Sequence, residues 1–259
     1  MSIHYEVEEA VATFTIENGK VNVFDPSTHR ALYDALKAFE EDPSVKVGVL
    51  TGAGTRAFSA GDDLKFLQRQ LDGNERLMRH FYPLAADRAE PGFPGHDREV
   101  MSLRRFKPIV GAVNGWCLGR GMMYLLHLTD IRVAGSSAKF GMPEIRFGMG
   151  GSGALALIHR HLPRAIALEL LLLGDSIDAE KALRVHLINQ VVSDELVLDS
   201  ARSIAKRISK HEQTAIRTEM EAFQRTEDMD RDNAIAFAEH FYRLQRLVSK
   251  SPNTDVVFK

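Results

Sequence analysis

Two short segments some sixty residues apart carry residue types suited to holding a negatively charged oxygen. The first is Phe58-Ser59-Ala60-Gly61-Asp62-Asp63-Leu64, and the second runs from Lys107-Pro108 through Asn114-Gly115-Trp116-Cys117-Leu118-Gly119-Arg120-Gly121. Each reads as a strand, a turn of small residues and a helix start, where main-chain N–H groups lack helical acceptors. Two such donors aimed at one carbonyl oxygen stabilise an enolate or a tetrahedral oxyanion. A single donor of this kind is typically worth ~3–4 kcal/mol, roughly 10²- to 10³-fold in rate. Either glycine cluster alone is equally a tight turn; the ordered pair carries the inference. Further on, Phe140-Gly141-Met142-Pro143-Glu144 supplies a carboxyl group. Met122, Met123, Leu125 and Phe140 are predicted to desolvate Glu144 and raise its pKa. That suits a group moving protons near neutral pH, an effect worth roughly 10²–10⁴ in rate.

Other polar residues offer less. Tyr124 could present a hydroxyl to the same site or could simply pack in the core. His127 lies on an apolar helix and reads as a core histidine, while His159 and His161 flank Arg160 without the carboxylate partners of a metal site. These histidines are not read as a metal site. His96 and Asp97 close the segment Glu90-Pro91-Gly92-Phe93-Pro94-Gly95-His96-Asp97, which reads as irregular loop, and are candidates for an unforeseen contribution to the site. Cys117 is the single cysteine, so no internal disulfide can form, and its apolar neighbours mark it as a buried small hydrophobe.

The elements that must position these groups can be read from hydrophobic period. Ile3 to Val7, Val11 to Ile16, Val45 to Thr51, Ile109 to Val113 and Ile131 to Ala134 are strand-like. Asp25-Pro26-Ser27 starts a helix whose Leu32, Ala35, Leu36 and Phe39 share a face. A second helix spans about 121–129, and Asp194 to Ser209 supports another. Glu212 to Lys250 reads as one long charged amphipathic stretch with Ala234, Phe237, Ala238, Phe241 and Leu244 on one side. Residues 72–97 stand apart as a surface loop or a flap beside a pocket. This succession is an α/β layout, with a soft boundary near 193 dividing a core, 1–193, from a helical region, 194–259.

The chain has 259 residues and a formal charge of −2, so there is no basic field for nucleic acid or an anionic membrane. The first residues lack a charged leader followed by an apolar run, and the apolar runs are too short to span a bilayer. A cytoplasmic protein is expected.

On these motifs, together with Asp130-Ile131-Arg132-Val133-Ala134 and Leu173-Gly174-Asp175-Ser176-Ile177-Asp178-Ala179-Glu180-Lys181-Ala182, the chain resembles the enoyl-CoA hydratase/isomerase (crotonase) superfamily across nearly its whole length. The resemblance implies a crotonase-like spiral of ββα units, a helical C-terminal trimerisation region, and a homotrimer or dimer of trimers. It implies an acyl-CoA substrate, with coenzyme A as part of that substrate and no other cofactor. One oxyanion donor maps to the N–H of Asp62. The other maps to Arg120 or Gly121, because the chain carries one extra residue between Gly119 and Asp130; Gly121 is favoured for its unhindered backbone. Coenzyme contacts map to Ser59, Ala60, Asp62, Asp63, Leu64 and Lys250. Of the two glutamates typical of hydratases, Glu144 is kept, and the other position holds Met123 or Tyr124. The implied activity is a hydratase-type carbon–oxygen lyase. Double-bond isomerase, hydratase coupled to retro-aldol cleavage and a non-catalytic acyl-CoA-binding paralogue are the alternatives. Tyr242 is a further candidate for the acyl pocket.

Overall fold

The strands come in pairs whose members enter different sheets. The computed structural model describes residues 2–65, 96–150 and 158–248, together with Asn74 and Met78. An antiparallel hairpin, β1 (Ile3–Glu8) and β2 (Val11–Ile16), opens the chain. Three pairs follow: β3 (Val47–Gly52) with β4 (Ala57–Ser59), β5 (Ile109–Val113) with β6 (Trp116–Leu118), and β7 (Ile131–Gly135) with β8 (Lys139–Gly141). The first member of each joins a six-stranded sheet in the order β1-β2-β3-β5-β7-β10, and the second a four-stranded sheet in the order β4-β6-β8-β9. Here β9 is Ile177–Asp178 and β10 is Gln190–Val192. From β2 to β10 the larger sheet is parallel. This repeated stepping between two sheets is the spiral that the resemblance implies.

Burial on both faces explains why the central strands carry near-continuous apolar runs rather than alternation. One face of the large sheet packs into the main core with α1 (Pro26–Glu41) and α3 (Arg120–Leu128). Asp25 caps α1 by accepting the N–H of Thr28 at 2.8 Å, Pro26 occupies its first turn, and Leu32, Leu36 and Phe39 are buried. The opposite face is covered by α6 (Val197–Ser209), whose Val197, Ala201 and Ala205 recur every four residues and meet Val11, Val47, Val49, Val110 and Val133.

The remaining α-helices bounded within the described residues are α2 (His96–Ser102), α4 (Arg164–Leu173), α5 (Ala179–Arg184), α7 (Gln213–Thr226) and α8 (Arg231–Val248). The stretch read as continuous from Glu212 breaks between α7 and α8. Asp230 takes the N–H of Asn233 at 3.1 Å and restarts the helix. The helical region therefore divides: α6 is part of the sheet packing, whereas α8 has no buried residue and exposes Tyr242, Leu244, Leu247 and Val248. His96 and Asp97, expected in irregular loop, instead open α2.

Candidate active site

The three motif segments meet because β4, β6 and β8 are neighbouring strands. β6 runs parallel to both β4 and β8, so all three end on the same side of the small sheet. Past β4 comes Ala60-Gly61-Asp62; past β6, Gly119-Arg120-Gly121; past β8, Met142-Pro143-Glu144. Carboxyl ends of parallel strands are where open α/β sheets gather ligand-binding loops.

Main-chain geometry leaves the expected donors open. Phe24 donates to the carbonyl of Gly61 at 2.8 Å and accepts from the N–H of Asp63 at 2.8 Å. This one-residue parallel bridge turns the N–H of Asp62 away from Phe24. Across the turn, the first N–H that α3 satisfies is that of Met123, which bonds the carbonyl of Gly119 at 3.0 Å. The N–H groups of Arg120 and Gly121 therefore precede the helical ladder and have no acceptor among the described residues.

Close approach requires the glycines. Gly61 has φ +95, and a Cβ placed there lies only 3.2 Å from the nitrogen of Arg120. The nitrogen of Arg120 thus lies close beside Gly61. Gly121 serves a different contact: a Cβ on it lies 2.7 Å from the Ser59 carbonyl oxygen, so its missing side chain lets α3 press on the end of β4. Gly119 has φ +52, and its Cβ position is 2.9 Å from Oε1 of Glu144. The carboxyl of Glu144 therefore stands directly over the glycine turn.

Glu144 sits in the first turn of a short 3-10 helix, Pro143–Phe147. Its Oε2 is buried with no hydrogen-bond partner among the described residues. Burial is the main cause that raises its pKa, and the Asp62 carboxylate adds to the effect. The desolvation read from the sequence is thus present at this residue.

Several residues take positions other than those expected. Tyr124 is completely buried, and its hydroxyl lies 2.6 Å from Nδ1 of His29. It does not stand open to a substrate; burial raises its pKa well above the ordinary phenol range. Ser59 is fully buried and its hydroxyl accepts the N–H of Gly61 at 3.1 Å, so that side chain shapes the turn rather than a coenzyme contact. Asp63 and Leu64 lie at the rim, Leu64 being exposed. Lys250 lies outside the described residues, as does most of segment 72–97. Tyr242 is exposed on α8. His127 and His161 are both lowered to about 4, chiefly by burial, in keeping with core histidines. Burial drives the Cys117 thiol far up. Among the described residues no group of three His, Cys, Asp or Glu side chains could hold a metal ion. Likewise, no described helix is long and apolar enough to cross a membrane.

Sequence reasoning offered Asp97 as a candidate but missed the chain of polar contacts under the turns to which it belongs. Arg120 Nε lies 3.3 Å from Oδ2 of Asp62, and its Nη2 is 3.0 Å from Oδ2 of Asp97. On the far side of Asp62, Nε2 of His29 is 3.3 Å from Oδ1. Burial would raise the pKa of Asp62, but the contact from His29 and the charge of Arg120 outweigh it and hold the carboxyl below its usual range. Opposite charges on the two turns were visible in the sequence. The part played by His29, a residue of α1 far from either motif, had no sequence signal.

Sheet topology, turn geometry and the desolvated carboxyl define an enzyme of the crotonase fold. Residues 6–250 match the family model for enoyl-CoA hydratase/isomerase, and the chain belongs to that family. It is 32% identical over 229 residues to a carnitinyl-CoA dehydratase of Citrobacter koseri, covering 88% of this chain and 82% of that protein. It is 30% identical over 243 residues to an (E)-benzylidenesuccinyl-CoA hydratase of Thauera aromatica, covering 92% and 88%. Among solved structures, an enoyl-CoA hydratase from Bacillus anthracis superposes with a TM-score of 0.82 at 25% identity over 96% of this chain and 92% of that one. A subunit from Geobacillus kaustophilus, described as an enoyl-CoA hydratase, gives 0.81 at 28% identity over 95% and 90%. With a dehydratase and a hydratase among its relatives, the chain is an enzyme of the carbon–oxygen lyase class.

Proposed function

We propose that this chain adds water to, or removes it from, an α,β-unsaturated acyl-CoA thioester. The N–H groups of Asp62 and Arg120 bind the thioester oxygen, and Glu144 moves the proton. The supporting observation is the convergence of the three strand ends, with two open amides on facing turns and one desolvated carboxyl above them. Arg120 replaces Gly121 as the second donor in this reading. Its nitrogen lies close beside Gly61, while the α-carbon of Gly121 is committed to packing on Ser59.

The step balances with a single carboxylate. Ionised Glu144 takes a proton from water as the water oxygen bonds to Cβ, and the double-bond electrons shift to the thioester oxygen as an enolate. The amides stabilise that charge where it develops. Protonated Glu144 then returns its proton to Cα, and the carbonyl re-forms. Elimination is the reverse. Ala60, Asp63 and Leu64 at the rim are the coenzyme contacts in this reading. The exposed apolar residues of α8 support a homo-oligomer closed over that helix.

A second reading has a specific basis. Met123 is nearly buried and Tyr124 fully so, hence neither places a second acid in the site. One carboxylate suffices to relocate a double bond. The test is a panel of crotonyl-, cinnamoyl- and 3-enoyl-CoA with products identified by mass and stereochemistry. A 3-hydroxyacyl product supports hydration, and a product of unchanged mass supports isomerisation. Binding without turnover of any member would contradict both readings.

A further inference from the structure

We infer that the side chains of Asp62 and Arg120 form an ionic clamp that sets the gap between the two amides holding the substrate oxygen. The inference rests on the donor assignment proposed above. Each donor residue carries the other's countercharge: Nε of Arg120 lies 3.4 Å from Oδ1 and 3.3 Å from Oδ2 of Asp62. The clamp therefore joins the two turns directly, through the same residues whose N–H groups hold the oxygen.

Two features show why such a tie is needed. The β4–β6 pairing is irregular, with Ala57 opposite Trp116 but Ser59 opposite Cys117, and it stops before either turn. The strand ladder consequently does not fix the separation of Asp62 from Arg120. The pair is also braced from both sides. Arg120 reaches on to Asp97 at 3.0 Å. Asp62 reaches His29, whose Nδ1 faces the hydroxyl of Tyr124. The ring therefore spans the hydroxyl of Tyr124 on one side and the carboxylate of Asp62 on the other. The His29 ring stacks on Phe24 at 5.3 Å, the residue whose main chain holds Gly61 and Asp63. The side chains of Arg120 and His29 are 11% and 10% exposed and that of Asp62 28%, so solvent screens these contacts only in part.

Asp62 and Arg120 are positioning residues through their side chains, and this separates their two roles experimentally. Asp62→Asn and Arg120→Gln keep both backbone N–H groups while removing the charge pair. The variants and their double are assayed for kcat and KM on the substrate the panel identifies. The infrared stretch of a ¹³C-labelled thioester carbonyl is read in bound butyryl-CoA, which has no double bond to hydrate. A misplaced donor costs on the order of 10- to 100-fold. Each single variant is therefore expected to lose about that factor in kcat, with a much smaller change in KM and a carbonyl band moved toward its free position. The double variant should be no worse than the poorer single, since both remove one interaction. Losses that multiply, or an unmoved carbonyl band, would overturn the clamp. If the neutral variants fail to fold, Arg120→Lys, which keeps charge without the guanidinium fork, must show the same split of kcat from KM. Wild-type protein that polarises the carbonyl but hydrates nothing would end the hydratase reading while leaving the clamp standing. Absence of polarisation in the wild type would end both.

Discussion

Replacing Gly119 by alanine separates strain from chemistry at the candidate site. The backbone there has φ 52 and ψ −123, a region that side chains avoid. Holding a non-glycine residue in such a region costs about 1–3 kcal/mol. For a chain of this size that is several degrees of melting temperature, at roughly 2–4 °C per kcal/mol. The new methyl would lie 2.9 Å from Glu144 Oε1, where ordinary contact begins at 3.4 Å. Because the obstructing atom is the end of a flexible side chain, the carboxyl yields rather than the backbone. A shift of roughly half an ångström follows, and with an ångström of misplacement worth up to ~10²-fold, the expected loss in kcat is about tenfold. Gly54→Ala is the control: φ is +73 and nothing lies within 4 Å of its Cβ, so strain is the only cost. Thermal melts and steady-state hydration rates on both variants make the comparison. Equal destabilisation with an unchanged rate in Gly119→Ala would refute the placement of Glu144 as the working group.

Glu144→Gln should fold, bind acyl-CoA and lose at least ~10²-fold in turnover; near-normal turnover in a well-folded variant would remove the acid–base assignment. Because ionised Glu144 is the active form and its pKa is raised, the rate should fall with decreasing pH at values above the ordinary carboxylate range. In the pH–rate profile of Asp62→Asn that limb should move to lower pH, since one source of the elevation is gone; an unmoved limb would count against their coupling. Asp62 itself has a depressed pKa, so its contribution to stability is present above its unfolded value of about 3.9 and is lost as pH falls through the folded value. Melting curves of wild type and Asp62→Asn should therefore converge in acid, and a constant gap would contradict this. Cys117 is buried with its thiol pKa raised, so a thiol-specific reagent should leave the native protein unlabelled and react once it is denatured. Rapid native labelling would refute that.

Legibility of the fold followed the range of the physics involved. The runs at Val47–Gly52 and Ile109–Val113 betray themselves because strands buried on both faces must be apolar throughout. Asp25-Pro26 marked α1 because capping is a local contact. The break between α7 and α8 was hidden because Thr226 and Arg231 lie in an otherwise helix-compatible charged stretch, and only the Asp230 cap interrupts it. At the site, glycine turns and Glu144 could be read from type and order. The choice between Arg120 and Gly121 could not, because it depends on which nitrogen faces Gly61 across two strands. Tyr124 was ambiguous for the same reason: its hydroxyl is met by His29, ninety-five residues away in sequence.

A structure with a bound acyl-CoA analogue measures the oxygen's partners directly. The thioester oxygen should lie about 2.7–3.1 Å from the main-chain nitrogens of both Asp62 and Arg120, with the Glu144 carboxyl over the Cα–Cβ bond. An oxygen bound away from those two amides, or a Glu144 side chain turned to bulk water, would contradict the mechanism.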